Sequence, residues 1–80
     1  MKLSVGIITF NEERIIAKTI DAVKNIAGEI VIIDSNSTDK TVEIAKSKGA
    51  KVITQSWLGY GKQKKFMIDN CSGEWILSID

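Results

Sequence analysis

Glu29-Ile30-Val31-Ile32-Ile33-Asp34 is the stretch that decides the architecture of this 80-residue chain. Four β-branched residues in succession leave the segment no polar face. It therefore reads as a strand covered on both sides, as in a parallel sheet between helices. Upstream, Ile16, Ile20, Val23 and Ala27 recur at helical spacing. Gly28 stands where a C′ glycine would stop that helix, and Asn11, followed by Glu12 and Glu13, is placed to cap its start. Before it, Leu3–Phe10 reads as another buried strand.

Downstream, Ser35–Asp39 is a polar loop, and Ser37, Thr38 or Asp39 can cap a second helix over Lys40–Lys48. Its inner face would be Thr41, Ile44 and Ala45, with Gly49 ending it. Ala50–Thr54 reads as a short strand and Gln55–Gly61 as an irregular loop holding Trp57 and Tyr60. Lys62–Cys71 reads as a helix with Phe66, Met67, Asn70 and Cys71 on one side. Gly73 breaks it, and Trp75–Ile79 is a fourth strand leading to Asp80. The order βαβαβαβ, with crossovers of this length, predicts a three-layer α/β fold with a mainly parallel, Rossmann-like sheet and right-handed connections.

Composition narrows the function. The hydrophobic fraction is 44%, the charged fraction 26% and the net charge +1, values of a globular chain and not of a general polyanion binder, so nucleic acid is not an expected partner. The single cysteine, Cys71, and the absence of histidine exclude an internal disulfide, histidine triads and four-cysteine zinc sites within this chain. No run approaches the ~18 apolar residues of a membrane span. No cleavage site follows the first apolar run, so the expected location is cytoplasmic. Neither a G-x-G-x-x-G after the first strand nor a P-loop is present. Asn36-Ser37-Thr38 and Asn70-Cys71-Ser72 match the glycosylation pattern by coincidence in such a setting. Asp80 directly follows an apolar strand with nothing to cover it, which leads us to expect residues 1–80 to be the first part of a larger domain.

In an open parallel sheet, ligands bind beyond the carboxyl ends of the strands. Thr9, Asn11 and Glu12 follow the first strand, Asp34 and Ser35 the second, Gln55 to Tyr60 the third and Asp80 the fourth. Three acids, Glu12, Asp34 and Asp80, thus share one rim, where carboxylates can bond sugar hydroxyls or base N–H groups or help hold a divalent cation. Seven lysines stand against one glutamate in residues 40–65. Lys62, Lys64 and Lys65 crowd the start of the third helix, against its dipole. An anion bound there, with Gly59 and Gly61 allowing close approach, would account for them.

Four blocks together resemble family 2 glycosyltransferases, which have the GT-A fold. Thr9-Phe10-Asn11-Glu12-Glu13 resembles the opening signature, and Ile33–Thr41 the second block. Gly59-Tyr60-Gly61-Lys62-Gln63-Lys64 resembles a glycine-basic block, and Trp75–Asp80 the strand that delivers Asp-x-Asp. Within the family, the glycine-basic block is most similar to the branch of lipopolysaccharide-core β-glucosyltransferases. Lys65 departs from that branch, where asparagine is usual.

The resemblance implies that Thr9 and Phe10 wall the base and that Asn11 and Glu12 shape the pocket, with Glu12 near the ribose. It implies that Asp34 accepts a base N–H, with Ser35 lining the same loop. Lys62 and Lys64 would face the diphosphate of a UDP-sugar. Asp39 is expected to be a helix cap. Asp80 would be the first Asp of Asp-x-Asp, a partial site for Mg or Mn. The second Asp, the general base and the site for a saccharide or lipid-linked acceptor would lie beyond residue 80. The whole would be an inverting transferase of cell-surface polysaccharide or lipopolysaccharide synthesis, acting in the cytoplasm or at the inner face of the membrane, and this piece alone would be inactive. Trp57, Leu58 and Tyr60 would pack against the remainder, so the isolated piece is expected to self-associate. The alternative is a non-catalytic α/β nucleotide-binding or receiver-like module. It fits poorly, because a receiver needs an Asp after the third strand and this one runs into Gln55-Ser56-Trp57.

Overall fold

The computed structural model describes residues 2–79. Seven elements follow in the expected alternation: β1 (Leu3–Thr9), α1 (Ile16–Val23), β2 (Glu29–Asp34), α2 (Thr41–Ser47), β3 (Lys51–Thr54), α3 (Tyr60–Asp69) and β4 (Trp75–Ile79). All strand pairs are parallel, in the order β3-β2-β1-β4. The order reverses at β1, since β2 and β3 lie to one side of it and β4 to the other. That reversal is the switch point at which open α/β sheets open a crevice.

Side chains of β1 and β2 alternate between two cores. Val5, Ile7 and Ile32 pack with Ile16, Ile20 and Val23 of α1 and Ala45 of α2. Val31 and Ile33 project to the opposite face and pack with Met67 of α3. The fold is thus three-layered. Each fully buried isoleucine, such as Ile20 or Ile32, contributes about 1.5–3 kcal/mol relative to exposure. No described helix is long and apolar enough to cross a membrane.

Gly6 sets the distance of α3 from the sheet. A Cβ there would lie 1.9 Å from Met67 Sδ, well inside van der Waals contact. At the sheet edge, β4 leaves Trp75, Ile76 and Leu77 exposed by 59%, 38% and 41%, an apolar strip with α3 and α1 packed elsewhere. Ser78, in register with Gly6, carries a buried hydroxyl oxygen without a partner among the described residues.

Several boundaries differ from the sequence expectation. Asn11 does not cap α1. It adopts a left-handed φ of +50°, and its amide oxygen accepts N–H groups of the next loop instead. Glu12 and Glu13 precede α1 rather than forming its first turn, because the Glu12 carbonyl accepts from Ile15 and Ile16 in a tight turn. Gly28 is not a left-handed helix stop. α1 ends at Val23, and the Gly28 N–H donates to Leu3 O at 2.7 Å. α3 starts at Tyr60 instead of Lys62, since Gly59, at φ +95°, turns the chain two residues earlier. Gly49 at φ +86° ends α2 as expected.

The amino ends of the strands are tied by Glu29. Its carboxylate accepts from the Ser4 hydroxyl at 2.5 Å, the Ser72 N–H at 2.5 Å and the Ser72 hydroxyl at 3.0 Å. Lys2 lies 3.8 Å away. The Ser4 bond foremost, then Ser72, outweigh burial and hold the Glu29 carboxyl at about 2, from an ordinary 4.5.

Gly6→Ala is expected to cost about 1–3 kcal/mol through overpacking. Chemical denaturation of Gly6→Ala, Met67→Ala and the double variant should give a double loss smaller than the sum of the single ones, because truncating Met67 removes the clash.

Since the folded-state pKa of Glu29 is depressed, its contribution is complete above pH 4.5 and disappears as pH falls towards about 2. Glu29→Gln should lower stability at pH 7 by about 2 kcal/mol, allowing for solvent screening. It should also flatten the acid limb of a midpoint-against-pH curve between those values. An unchanged acid limb would contradict the assignment.

Candidate functional site

The parallel register sets Thr9 of β1 beside Asp34 of β2 at their carboxyl ends. Asp34 is 1% exposed. Its Oδ1 accepts the Thr9 hydroxyl at 2.7 Å and the Ser37 hydroxyl at 2.6 Å, and its Oδ2 accepts the Ser37 N–H at 2.8 Å. A buried carboxyl group demands such partners. The bonds fold the β2–α2 loop back over the end of β1.

The two loops are then laced in both directions. The Asn11 N–H donates to Ser37 Oγ at 2.8 Å, the Glu12 N–H to Thr41 Oγ1 at 2.8 Å and the Glu13 N–H to Asp39 Oδ2 at 3.2 Å. In return, Asn11 Oδ1 accepts the Thr38 N–H at 2.8 Å, and Glu13 Oε2 accepts the Lys40 N–H at 3.3 Å. Asp39 Oδ1 accepts the Thr41 N–H at 2.9 Å just before α2, although the N-cap position itself falls to Lys40, which makes no side-chain cap bond. Burial works to raise the Asp39 carboxyl, but the hydrogen bonds from the Thr41 hydroxyl and N–H and the Glu13 N–H outweigh it and hold it below the usual range.

Over this laced rim opens a cavity of about 540 Å³. Ile8, Thr9, Phe10 and Glu12 from the β1 side, Ser35 from just after β2, Trp57 from the β3–α3 connection and Tyr60 from the start of α3 line it. Phe10, Trp57 and Tyr60 are each more than half exposed, at 59%, 56% and 52%, although aromatic rings ordinarily stabilise a fold by burial. Among the described residues, Glu12 is the one charged side chain in the lining, and as a carboxylate it can only accept. The site can thus hold a flat, apolar ring with hydrogen-bond donors at its margin.

Of the residues expected here, Thr9, Phe10, Glu12 and Ser35 line the cavity, whereas Asn11 and Asp34 lie behind it in the lacing. Lys62 and Lys64 stand on α3 outside the lining. Lys64 Nζ lies 5.7 Å from the centroid of the Tyr60 ring and Lys62 is exposed. Asp80 lies outside the described residues. Trp57 and Tyr60, expected to pack against further chain, form walls of the cavity among the described residues. The strand-end rule places both on this rim. Gln63, fully buried behind the wall, was not anticipated. Its one sequence signal is its position four residues before Met67 on the inner side of α3. No group of three metal-ligating side chains occurs among the described residues, so they do not by themselves make a cation site.

The architecture and the position of the cavity define a doubly wound α/β ligand-binding fold. The chain belongs to glycosyl transferase family 2, whose profile matches residues 4–80. A glycosyltransferase of Rickettsia typhi is 53% identical over 79 residues, covering 99% of this chain and 27% of that protein. The lipopolysaccharide core biosynthesis glycosyltransferase LpsC of Rhizobium meliloti is 38% identical over 85 residues, covering 100% of this chain and 31% of LpsC. The fold is that of the GT-A glycosyltransferases. Glucosyl-3-phosphoglycerate synthase from Mycobacterium tuberculosis, in complex with Mn2+, UDP and glucosyl-3-phosphoglycerate, aligns with a TM-score of 0.86 at 27% identity, over 99% of this chain and 33% of that one. The same enzyme with Mg2+ and UDP aligns at 0.85 and 27% identity, over 99% of this chain and 32% of that one. The chain thus spans 27% to 33% of the length of these proteins.

Asn11→Ala removes the acceptor for Thr38 and sets an alanine at a left-handed φ. It should cost about 1–2 kcal/mol. Amide exchange at Thr38 should accelerate while that at Ile32 stays unchanged; equal acceleration at both would mean the lacing is not a local device.

Proposed function

We propose that this chain is the donor-nucleotide-binding part of an inverting glycosyltransferase that uses a UDP-sugar. The observation that carries the reading is the aromatic cavity with Glu12 at its margin, open at the carboxyl ends of a parallel sheet. The UDP, UDP-glucose and Mn2+ or Mg2+ complexes of the mycobacterial synthase support the donor class. The relation to LpsC supports a role in lipopolysaccharide or other cell-surface polysaccharide synthesis.

In this reading, Phe10, Trp57 and Tyr60 pack the base, a contact worth about 1–3 kcal/mol per stacked ring. Glu12 accepts hydrogen bonds from the ribose hydroxyls. Thr9 and Ser35 form the polar part of the base wall. Asp34 reads a base N–H if the ligand reaches past Ser37, and otherwise holds Thr9 and Ser37 in place for it. Asn11 keeps the loop in register. Lys62 and Lys64, with the N–H groups at the start of α3, attract the diphosphate.

Transfer forms a bond from an acceptor hydroxyl oxygen to the anomeric carbon, on the face opposite the nucleotide. The bond from that carbon to the diphosphate oxygen breaks, and UDP departs. The chain's own residues contribute binding and orientation of the donor. The proton acceptor, the acceptor saccharide or lipid-linked site, and a divalent cation held in part by Asp80 are assigned to the whole protein, and residues 1–80 alone should bind without turnover.

Calorimetric titration of the chain with UDP, with and without Mn2+, should give saturable binding that UDP-glucose competes away. Trp57→Ala and Glu12→Ala should each weaken it by about tenfold, and Asp34→Ala should weaken it as well. No saturable binding would refute the nucleotide reading; unchanged affinity in Asp34→Ala would refute its place in the site.

A further inference from the structure

Gln63 lies in the first turn of α3 with no exposed surface. A glutamine is tolerated at such a position only when its amide is matched. Its Nε2 donates to Ser35 Oγ and to Gln55 O, each at 3.1 Å, and its Oε1 accepts the Leu58 N–H at 3.1 Å. The amide orientation is determined by these backbone partners. Turned over, it would set oxygen against the Gln55 carbonyl and NH2 against the Leu58 N–H, both repulsive.

Two consequences follow for the cavity. First, Gln55 and Leu58 bracket Trp57, so the amide pins the backbone on both sides of one aromatic wall. Second, the Ser35 hydroxyl has one proton and two lone pairs. An amide NH2 can only donate, so Ser35 Oγ is the acceptor in that bond. No described residue accepts the Ser35 proton in turn. Ser35 lines the cavity and is 9% exposed, so that proton is available to an occupant.

We propose that Gln63 is a positioning residue of the nucleotide site, holding the Trp57 wall and presenting the Ser35 hydroxyl as a hydrogen-bond donor to a carbonyl oxygen of the base. The proposal rests on the nucleotide reading above. It adds a specificity element, because a donor at this point favours a base edge with a carbonyl, as in uracil, over one with an exocyclic amino group, as in cytosine.

The test is calorimetric titration of UDP and CDP into the chain and into Ser35→Ala, Gln63→Met and the double variant, with amide exchange at Ile32 reporting the fold of each. The unchanged chain should prefer UDP. Ser35→Ala should narrow that preference by about 3–10-fold. Gln63→Met should narrow it to a similar degree, and the double variant should narrow it no further, since both act on one donor. A merely structural Gln63 would weaken both nucleotides equally, and that result overturns the proposal, as do additive losses or a chain without a UDP preference. Ser35→Ala leaves the bonds from Gln63 to Gln55 and Leu58 in place, so even if Gln63→Met fails to fold, an unaltered UDP:CDP ratio in Ser35→Ala overturns it. If the unchanged chain binds neither nucleotide, the nucleotide reading itself has failed; if it binds UDP and the ratio does not move, this proposal alone has failed.

Discussion

The buried carboxyl group of Asp34 is the constraint on which the upper rim depends. It closes the most apolar strand of the sheet, where burial without donors would cost several kcal/mol. The donors come from Thr9, brought alongside by the parallel register, and from Ser37, three residues on. Meeting that demand forces the β2–α2 loop down onto β1, and the lacing through Asn11, Glu12, Glu13 and Asp39 follows from the same closeness. Local hydrogen bonds thus replace a longer helix: the N–H groups that would have opened α1 are spent on the neighbouring loop.

The cavity follows from this rigid rim and from the other side of the sheet. Gly6 and Met67 let α3 pack close, and Gln63, one turn before Met67, then reaches Ser35 and the backbone around Trp57. Phe10, Trp57 and Tyr60 stay exposed around this cavity, each by more than half. Exposure of this kind costs solvation free energy and is stable only because the loops beneath are held by buried polar contacts. A surface of this design is suited to binding a flat ring.

The strip on β4 has a different origin. Trp75, Ile76 and Leu77 are exposed because β4 is an edge strand with α1 and α2 seated over β1 and β2, and an open edge of this kind is prone to pairing. The Rickettsia typhi relative and LpsC are each between three and four times as long as this chain, and the site residues discussed above lie at the carboxyl ends of β1, β2 and β3.

Element type and order were legible in the sequence because apolar period and glycine placement are local properties. The β-branched run at 30–33 demanded two covered faces and received them, and Gly49 ended α2 where its left-handed turn requires. The rim position of Thr9, Glu12, Asp34 and Ser35 was legible too, since strand ends in a parallel sheet share one edge. Local pattern could not reveal that Asn11 turns away from its helix, that Asp34 sits behind the wall, that Trp57 and Tyr60 face a cavity or that Gln63 is buried. The bonds of Asn11 to Thr38 and of Gln63 to Ser35 and Gln55 join residues 8 to 28 apart. The chain's own order of residues determines which segments are strands and helices; only the packing of loop on loop and helix on sheet decides which polar atoms are left to meet a ligand, because hydrogen bonds are short and the loops must first be brought within their reach.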